Sequence, residues 1–381
     1  MIAVRDPLGL IPGTMLLPPE VFFILSLCDG EHTVAEIQVE YVRRFGDLIF
    51  TEQLQKILRE FDEHLLLESE RAHAAQRELA EQFRAQPVRQ AAHAGSAYPE
   101  RAADLRAKLE AVIDAAPSSE APKQRIRGVA APHIDLRRGE KVYGAAYRAV
   151  RDHVRAELFF VLGIAHFGGE TPLILTKKNF RTPLGEAQTE GELVERLARA
   201  CPFDPFADEL VHKVEHSVEL QVVFLQHIFG PEVAIVPVLC NEVAGFCDKQ
   251  GSPRENEALG GPLGALRELV EEAGESCCVL AGVDLSHIGR QFGDASALSP
   301  GFLATAERAD RELIACLEAG DADGAFRACY AQGNRFHVCG MPALYALVYA
   351  LGECRGKLLR YDQAVTWETE SAVTLAAMIF W

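Results

Sequence analysis

The chain has 381 residues, 49% of them hydrophobic, which is enough for more than one domain and for a large buried core. Its formal net charge of −17 disfavours nucleic acid and anionic membrane surfaces as partners. No apolar run is long enough to cross a bilayer, and the first residues lack the basic and apolar regions of a signal peptide. We therefore expect a cytoplasmic protein with no nucleic-acid or membrane partner.

Residues 1–68 are predicted to form a small helical module. An apolar run over residues 21–27 indicates a first helix. Thr33 and Glu36 then form a capping box, in which each side chain satisfies a backbone N–H of the other at the start of a second helix. A third helix carries apolar residues spaced by three and four on one face, namely Leu54, Ile57, Leu58, Phe61 and Leu65.

This N-terminal module resembles two known folds. Three short helices on one core resemble the winged-helix fold, and residues 25–30, 33–37 and 54–67 are similar to PqqD-type peptide-recognition domains. The resemblance implies peptide recognition, whereas a plain packing or dimerisation module is the alternative. Residues 69–91 are rich in Ala, Glu, Gln and Arg and poor in large apolar groups, so we expect an exposed helical linker.

From residue 92 to residue 381 the pattern predicts an α/β domain with a mostly parallel sheet flanked by helices on both faces. An amphipathic helix over residues 101–115 comes first. Strands are predicted over residues 126–131, 158–164, 172–176, 233–239, 278–283 and 371–380. Helices are predicted over residues 139–154, 190–200, 215–229, 262–274, 302–319 and 341–352. There is no nucleophile elbow, Walker loop, dinucleotide fingerprint or CxxC pair, and the ten cysteines are expected to be reduced.

Polar side chains follow several of these strands at the point where each strand ends. His133 comes after Pro132, which cannot donate to a sheet ladder and should end the strand. His166 follows the next strand, and Asp284 and His287 follow the strand over 278–283. In open α/β sheets the carboxyl ends of the strands collect ligands and chemistry. Each residue alone is more often structural, but together they have the composition of a metal site for Fe, Zn, Cu or Ni.

Two of these candidates have alternative roles. Asp284 is expected to accept a ring N–H from His287 and fix its tautomer, to serve as a base or orient a ligand, or simply to cap the helix or turn that follows the strand. His216 opens the helix over 215–229, where the helix dipole disfavours protonation, so a neutral ring would donate to a substrate oxygen. A surface cap is the alternative for His216, and we assign no role to His212 or His227.

Cys339 precedes the helix over 341–352, and a helix N-terminus lowers the pKa of a thiol. A thiolate is a good ligand for iron, copper or zinc. The alternatives are that Cys339 is an ordinary buried cysteine, or that His337 takes its place, which spacing alone does not decide.

Taken together, these segments are similar to the Memo family, also called AmmeMemoRadiSam system protein B, over residues 90–381. The resemblance rests on motifs that occur in the family's order, at residues 93–98, 131–133, 162–166, 181–185, 215–219, 235–238, 284–287 and 339–340. It implies a fold similar to that of the class III extradiol dioxygenases, which use nonheme iron. It also implies that His133, His166 and Cys339 are the metal ligands, and that Asp284, His287 and His216 line the same pocket.

The chain departs from the family's pattern at three places. Residues 134–138 introduce a carboxylate and two cations where the family has a small loop with an aromatic residue, and Phe167 stands where a second histidine often follows. The dioxygenases complete their iron site with a carboxylate, whereas this chain offers Cys339. Catechol binding is therefore not implied.

Three functions are compatible with the sequence. The first is a metal-dependent redox enzyme that uses iron, or alternatively copper, with His287 held by Asp284 as the acid–base group and His216 orienting a small-molecule or peptide substrate. The second is a non-catalytic peptide-binding or protein-binding component of a modification system with a radical-SAM partner. The third is a zinc-dependent hydrolase that uses the same residues.

Overall fold

The computed structural model describes residues 1–11, 13–118, 124–242, 251–331 and 333–381. The chain divides into two compact units, residues 1–86 and residues 87–381. The predicted linker overlaps this boundary, because its last five residues, 87–91, belong to the second unit and include a short strand, Val88–Arg89. The helix that we expected in the linker is present in the first unit.

The first unit combines a short hairpin with helices. Strands Ile2–Val4 (β1) and Met15–Leu17 (β2) pair antiparallel. They are followed by the helices Pro19–Ser26 (α1), Val34–Phe45 (α2), Thr51–Glu63 (α3) and Glu70–Arg84 (α4). Ile24, Ile37, Leu54 and Phe61 form its buried core. The capping box of α2 is confirmed, whereas the two strands were missed and a winged-helix arrangement stays a prediction.

The second unit is a mixed α/β fold. Its strands are Val88–Arg89 (β3), Gly128–Ala131 (β4), Leu158–Ile164 (β5), Leu173–Leu175 (β6), Asn179–Thr182 (β7), Gly185–Thr189 (β8), Ala234–Cys240 (β9), Cys277–Gly282 (β10), His287–Gly289 (β11), Gly356–Thr366 (β12) and Ser371–Phe380 (β13). Its helices are Ala102–Ala115 (α5), Leu136–His153 (α6), Gly191–Arg199 (α7), His216–Phe229 (α8), Glu257–Ala273 (α9), Pro300–Glu318 (α10), Ala322–Tyr330 (α11) and Met341–Leu351 (α12).

The sheet has a parallel centre and antiparallel flanks. Strands β4, β10, β5 and β9 lie side by side and run parallel, and β8 continues this arrangement beyond β9. On the other side β13 runs antiparallel to β4, and it also pairs with β11 and β12. Strand β6 pairs antiparallel with β9. The expected sheet, mostly parallel and flanked by helices, is therefore present, with antiparallel strands that the alternation of elements did not indicate.

Each face of the sheet is covered by helices. Along β5, Phe159 and Val161 belong to the buried core that includes residues of α5, α6 and α8, whereas Phe160 and Leu162 belong to the core that includes residues of α7 and of α9 to α12. Successive strand side chains point to opposite faces, so a strand buried on both sides is apolar throughout. This explains why the central strands were found from their uninterrupted apolar runs.

The elements missed in the second unit had weaker patterns. Strands β7 and β8 are short and partly polar, and β12 is only partly buried. Helix α11 has only 9 residues, which is too short for a clear helical period. Helix α9 begins before its predicted start at Pro262, which lies inside the helix. No helix in the described part of the chain is long and apolar enough to cross a membrane. The described cysteines are unpaired thiols, and Cys247 lies outside the described residues.

Candidate metal centre

The candidate site lies at the carboxyl ends of the parallel strands β4, β5 and β10. In the sheet register Ala131 at the end of β4 pairs with Gly282 at the end of β10. His133 and Asp284 each follow by two residues and therefore leave the sheet next to each other. His166 leaves the end of β5 in the same way. The strand ends thus place three of the predicted side chains at one edge, as a parallel sheet requires.

The structure brings together the three side chains that the resemblance implied as ligands. The ligand atoms of His133, His166 and Cys339 all lie within 4.8 Å of one another. Cys339 Sγ is 3.4 Å from His133 Nε2, and the rings of His133 and His166 cross nearly at right angles with their centroids 4.8 Å apart. His337 is exposed and hydrogen-bonds through Nδ1 to the His287 carbonyl, so it is Cys339 that joins the cluster.

The two histidines are held by their second ring nitrogens. His133 Nδ1 donates to the Gly282 carbonyl at 2.9 Å, and His166 Nδ1 lies 3.1 Å from a carboxylate oxygen of Glu215. These bonds leave Nε2 as the lone-pair nitrogen of each ring, which is how metal-bound histidines are usually oriented. Two imidazole nitrogens and one sulfur are donors that suit iron, copper and zinc, so the residues present fit such an ion.

Glu215 is a site residue to which sequence reasoning assigned no role. It is the N-cap of α8, and its carboxylate accepts the backbone N–H groups of His216 and Ser217 at 2.8 and 2.9 Å. Burial opposes its ionisation, but the hydrogen bonds from His166 and His216 hold its pKa well below the usual value. The available signal was a carboxylate directly before a candidate histidine at a helix start.

His216 is the first residue of α8 and completes a group of three imidazoles. Its ring stacks on His166 with centroids 4.7 Å apart and lies 5.1 Å from His133. We expected the helix dipole to disfavour protonation of this ring, but the pKa of His216 is shifted in the opposite direction. Burial lowers the pKa of His216, but its hydrogen bond to Glu215 and the charge of that carboxylate raise the pKa above the ordinary value.

Two glycines allow the start of α8 to approach the strand ends. A Cβ atom on Gly163 in β5 would collide with Ser217 Oγ, and one on Gly282 in β10 would collide with the Ser217 carbonyl. Ser217 Oγ also accepts the backbone N–H of Ile164 at 2.9 Å. Since α8 is seated so closely on the sheet, its first residues reach the histidines that leave the strands.

Asp284 contacts His133 rather than His287. The backbone N–H of His133 donates to Asp284 Oδ1 at 3.0 Å, and Oδ2 lies 3.6 Å from His133 Nε2. His287 Nδ1 instead donates to the Leu285 carbonyl at 3.0 Å, so the predicted support of His287 by Asp284 is wrong. Burial raises the pKa of Asp284 to about 6 and lowers the pKa of His287 to about 4.

Cys339 lies two residues before α12, and the expected lowering of its pKa by that helix is not found. Burial, and then the negative charge of Asp284, raise the pKa of the thiol well above its ordinary value. The neighbouring cation of a metal site reverses this preference, because a coordinating thiol is deprotonated. The environment of Cys339 therefore favours a thiolate only in the presence of a bound cation.

His93 is a further imidazole beside the group. Its ring lies edge-on to His216 with centroids 5.7 Å apart, and its Nε2 hydrogen-bonds to the Val214 carbonyl at 2.7 Å. His212 and His227, which we assigned no role, bond elsewhere, to the Ile174 carbonyl and to Glu110. Within residues 134–138, Asp135 caps α6 and pairs with Arg138.

Comparison with known proteins shows relatives over the whole chain. A family model described as Memo-like protein matches residues 89–379. A MEMO1 family protein of Aquifex aeolicus is 31% identical over 381 residues, a match that covers 99% of this chain and 95% of that relative. A MEMO1 family protein of Thermus thermophilus is 30% identical over 348 residues, which covers 91% of this chain and 98% of that relative.

The family model and the second unit begin at nearly the same residue. A MEMO1 family protein of Methanosarcina mazei is 27% identical, and the match covers 98% of that relative but only 77% of this chain. The family model begins at residue 89, close to the start of the second unit at residue 87. The second unit therefore carries the family's pattern, and the Aquifex match extends over the first unit as well.

Proposed function

This chain belongs to the Memo family, and from that premise we propose that it is a metal-dependent redox enzyme in which His133, His166 and Cys339 hold iron or, alternatively, copper. One observation carries the proposal: the three ligand atoms lie within 4.8 Å of one another while both histidines are oriented through their other ring nitrogen. When bound, the metal supplies a Lewis acid and a one-electron redox couple.

The remaining residues of the pocket would bind substrate and handle protons. His287 is neutral at pH 7, because burial lowers its pKa to about 4, so it is available as a proton acceptor. His216 beside Glu215 would donate a hydrogen bond to a substrate oxygen. Asp284 would fix the chain after β4 through the backbone N–H of His133. The substrate would be a small molecule or a peptide.

The test is the metal content of anaerobically purified protein. We expect about one iron or copper per chain, lost in His133→Ala and in Cys339→Ala, as expected for a site with three protein ligands. The matched controls are His227→Ala and Cys240→Ala, which remove the same side-chain types outside the cluster and should retain the metal. Zinc in place of iron or copper would contradict the redox function and favour a zinc-dependent hydrolase. If the protein binds no metal even after reconstitution, the enzyme proposal fails and the non-catalytic peptide-binding function is favoured.

We also propose that the protein works with a radical-SAM partner and that its first unit recognises a peptide. The resemblance of residues 25–30, 33–37 and 54–67 to PqqD-type domains and the resemblance of residues 90–381 to AmmeMemoRadiSam system protein B support this idea. Anaerobic pulldown with the full chain should recover a radical-SAM protein. If none is recovered under conditions in which the bait retains its metal, this part of the proposal fails.

A further inference from the structure

We propose that Glu215 is a positioning residue whose single carboxylate fixes both His166 and His216 with Nδ1 protonated, leaving Nε2 of each ring available to the pocket. The role assigned to His166 rests on the proposed metal site, whereas the orientation of the two rings does not. Sequence reasoning placed no function on this carboxylate, and the resemblance implied none.

The contacts of Glu215 support this role. Its carboxylate lies 3.1 Å from the Nδ1 atoms of both His166 and His216. It also accepts the backbone N–H of His166 at 3.0 Å, in addition to those of His216 and Ser217. The residue is only 1% exposed, so water does not compete for these donors. The strand end of β5 and the start of α8 are therefore joined through one side chain.

The chemistry of the carboxylate determines the tautomer. Both oxygens of Glu215 accept backbone N–H groups, so the carboxylate acts as an acceptor and each ring nitrogen facing it donates an N–H. A neutral imidazole has one N–H, which places the lone pair of His166 on Nε2. Glutamine at position 215 would offer one oxygen and one NH2 group. Because the NH2 group cannot accept, one of the two rings would turn a bare Nδ1 toward it and carry its proton on Nε2.

A second buried carboxylate provides a matched control. Glu209 accepts a hydrogen bond from Thr176 Oγ1 at 2.6 Å and lies 3.8 Å from Lys178 Nζ. It is 8% exposed and precedes α8 by a few residues. Glu209→Gln thus removes a buried charge close to the helix without removing an acceptor of His166 or His216. A general effect of losing a buried carboxylate would appear in both variants.

The first measurement uses the wild-type protein without metal. Nitrogen-15 NMR of labelled histidine, with assignments from His166→Ala and His216→Ala, reports which ring nitrogens carry protons. We expect protonated Nδ1 on both residues. A bare Nδ1 on either ring would overturn the proposal, whether or not any variant of Glu215 folds and whether or not the protein binds metal.

The second measurement is the affinity for Zn²⁺, determined by competition with a chelator at neutral pH. We expect Glu215→Gln to bind Zn²⁺ about 10–100-fold more weakly, with a bare Nδ1 on one ring, and Glu209→Gln to stay within about twofold of wild type. Equal weakening in both variants, or none in Glu215→Gln, would contradict the positioning role. If the wild type binds neither Zn²⁺ nor Fe²⁺, the proposed function fails, and the NMR result alone decides the orientation of the rings.

Discussion

Asp284 Oδ1 accepts the backbone N–H of His133 at 3.0 Å, and this contact joins the segments that follow two neighbouring parallel strands. Both residues are 2% exposed, so the N–H has no access to water as an alternative partner. Asp284 was expected to hydrogen-bond to His287, but it instead fixes the backbone of His133, one of the proposed metal ligands. The position of the His133 imidazole in the site therefore depends on the side chain of Asp284.

Replacing Asp284 by alanine should destabilise the protein by about 1–3 kcal/mol, because it leaves the buried N–H of His133 without an acceptor. Asp284→Asn retains an acceptor oxygen and removes a buried charge, so we expect a smaller change in the free energy of unfolding. Urea denaturation at pH 7 provides the comparison. Equal losses in the two variants would mean that the hydrogen bond to His133 is not what matters.

Cobalt substitution should reveal the thiolate of Cys339. A Cys–metal bond requires the thiolate, so Co²⁺-loaded wild type should show sulfur-to-cobalt charge-transfer absorption in the near ultraviolet. We expect this band to be absent from Cys339→Ser and present in Cys240→Ser, which alters a buried cysteine at the end of β9. A band that survives in Cys339→Ser would assign the sulfur ligand elsewhere.

Glu219 should make stability depend on pH in the acid range. Burial raises the pKa of Glu219, but the charge of Arg89 and the hydrogen bond from Tyr98 lower it overall, below the ordinary value of 4.5. A carboxyl group whose pKa is lower in the folded state stabilises the fold above its unfolded pKa. This contribution disappears as the pH falls through the lower, folded value.

The matched variant is Glu219→Gln, which leaves Arg89 buried without its charged partner. Removing one partner of a buried ion pair costs about 3–5 kcal/mol, so we expect a loss of this order at pH 7. The difference between wild type and variant should shrink as the pH falls below about 4.5. Urea denaturation between pH 3 and pH 8 measures it, and a constant difference would argue against ionisation of Glu219 as the cause.

The capping box of α2 should contribute to the stability of the first unit. Thr33 Oγ1 accepts the backbone N–H of Glu36, whose carboxylate accepts the backbone N–H of Thr33. Thr33→Ala removes one of these bonds and should cost about 1 kcal/mol, whereas Thr33→Ser keeps the hydroxyl and should cost less. Thermal unfolding followed by circular dichroism provides the check, and identical midpoints for the two variants would contradict it.

Local patterns were sufficient for much of the fold. The predicted bounds of β5 and β13 coincide with the structure, because long apolar runs mark strands buried on both faces. His133 and His166 were found for the same reason, since each follows such a run. The short hairpin of the first unit and the partly exposed β12 lacked that signal. Their pairing is set by tertiary contacts that periodicity does not report.

The partners of the site residues depended on register and packing. Asp284 reaches His133 because β10 pairs with β4, a relationship between segments about 150 positions apart in the sequence. Cys339 and His337 are two residues apart, and the backbone decides between them: His337 has φ +50°, a left-handed conformation within the turn before α12. The contacts of Glu215 could not be predicted from the sequence, because they depend on the packing of the start of α8 against the end of β5.

The strand order also has a consequence for biosynthesis. β10 is inserted between β4 and β5, so the segments bearing His133 and His166 become neighbours of a common strand only after residue 282 has been made. Cys339 follows later still. A ribosome-bound nascent chain that ends before this point cannot assemble the pocket. The three ligands of the proposed metal site are accordingly available together only after nearly the entire chain has been translated.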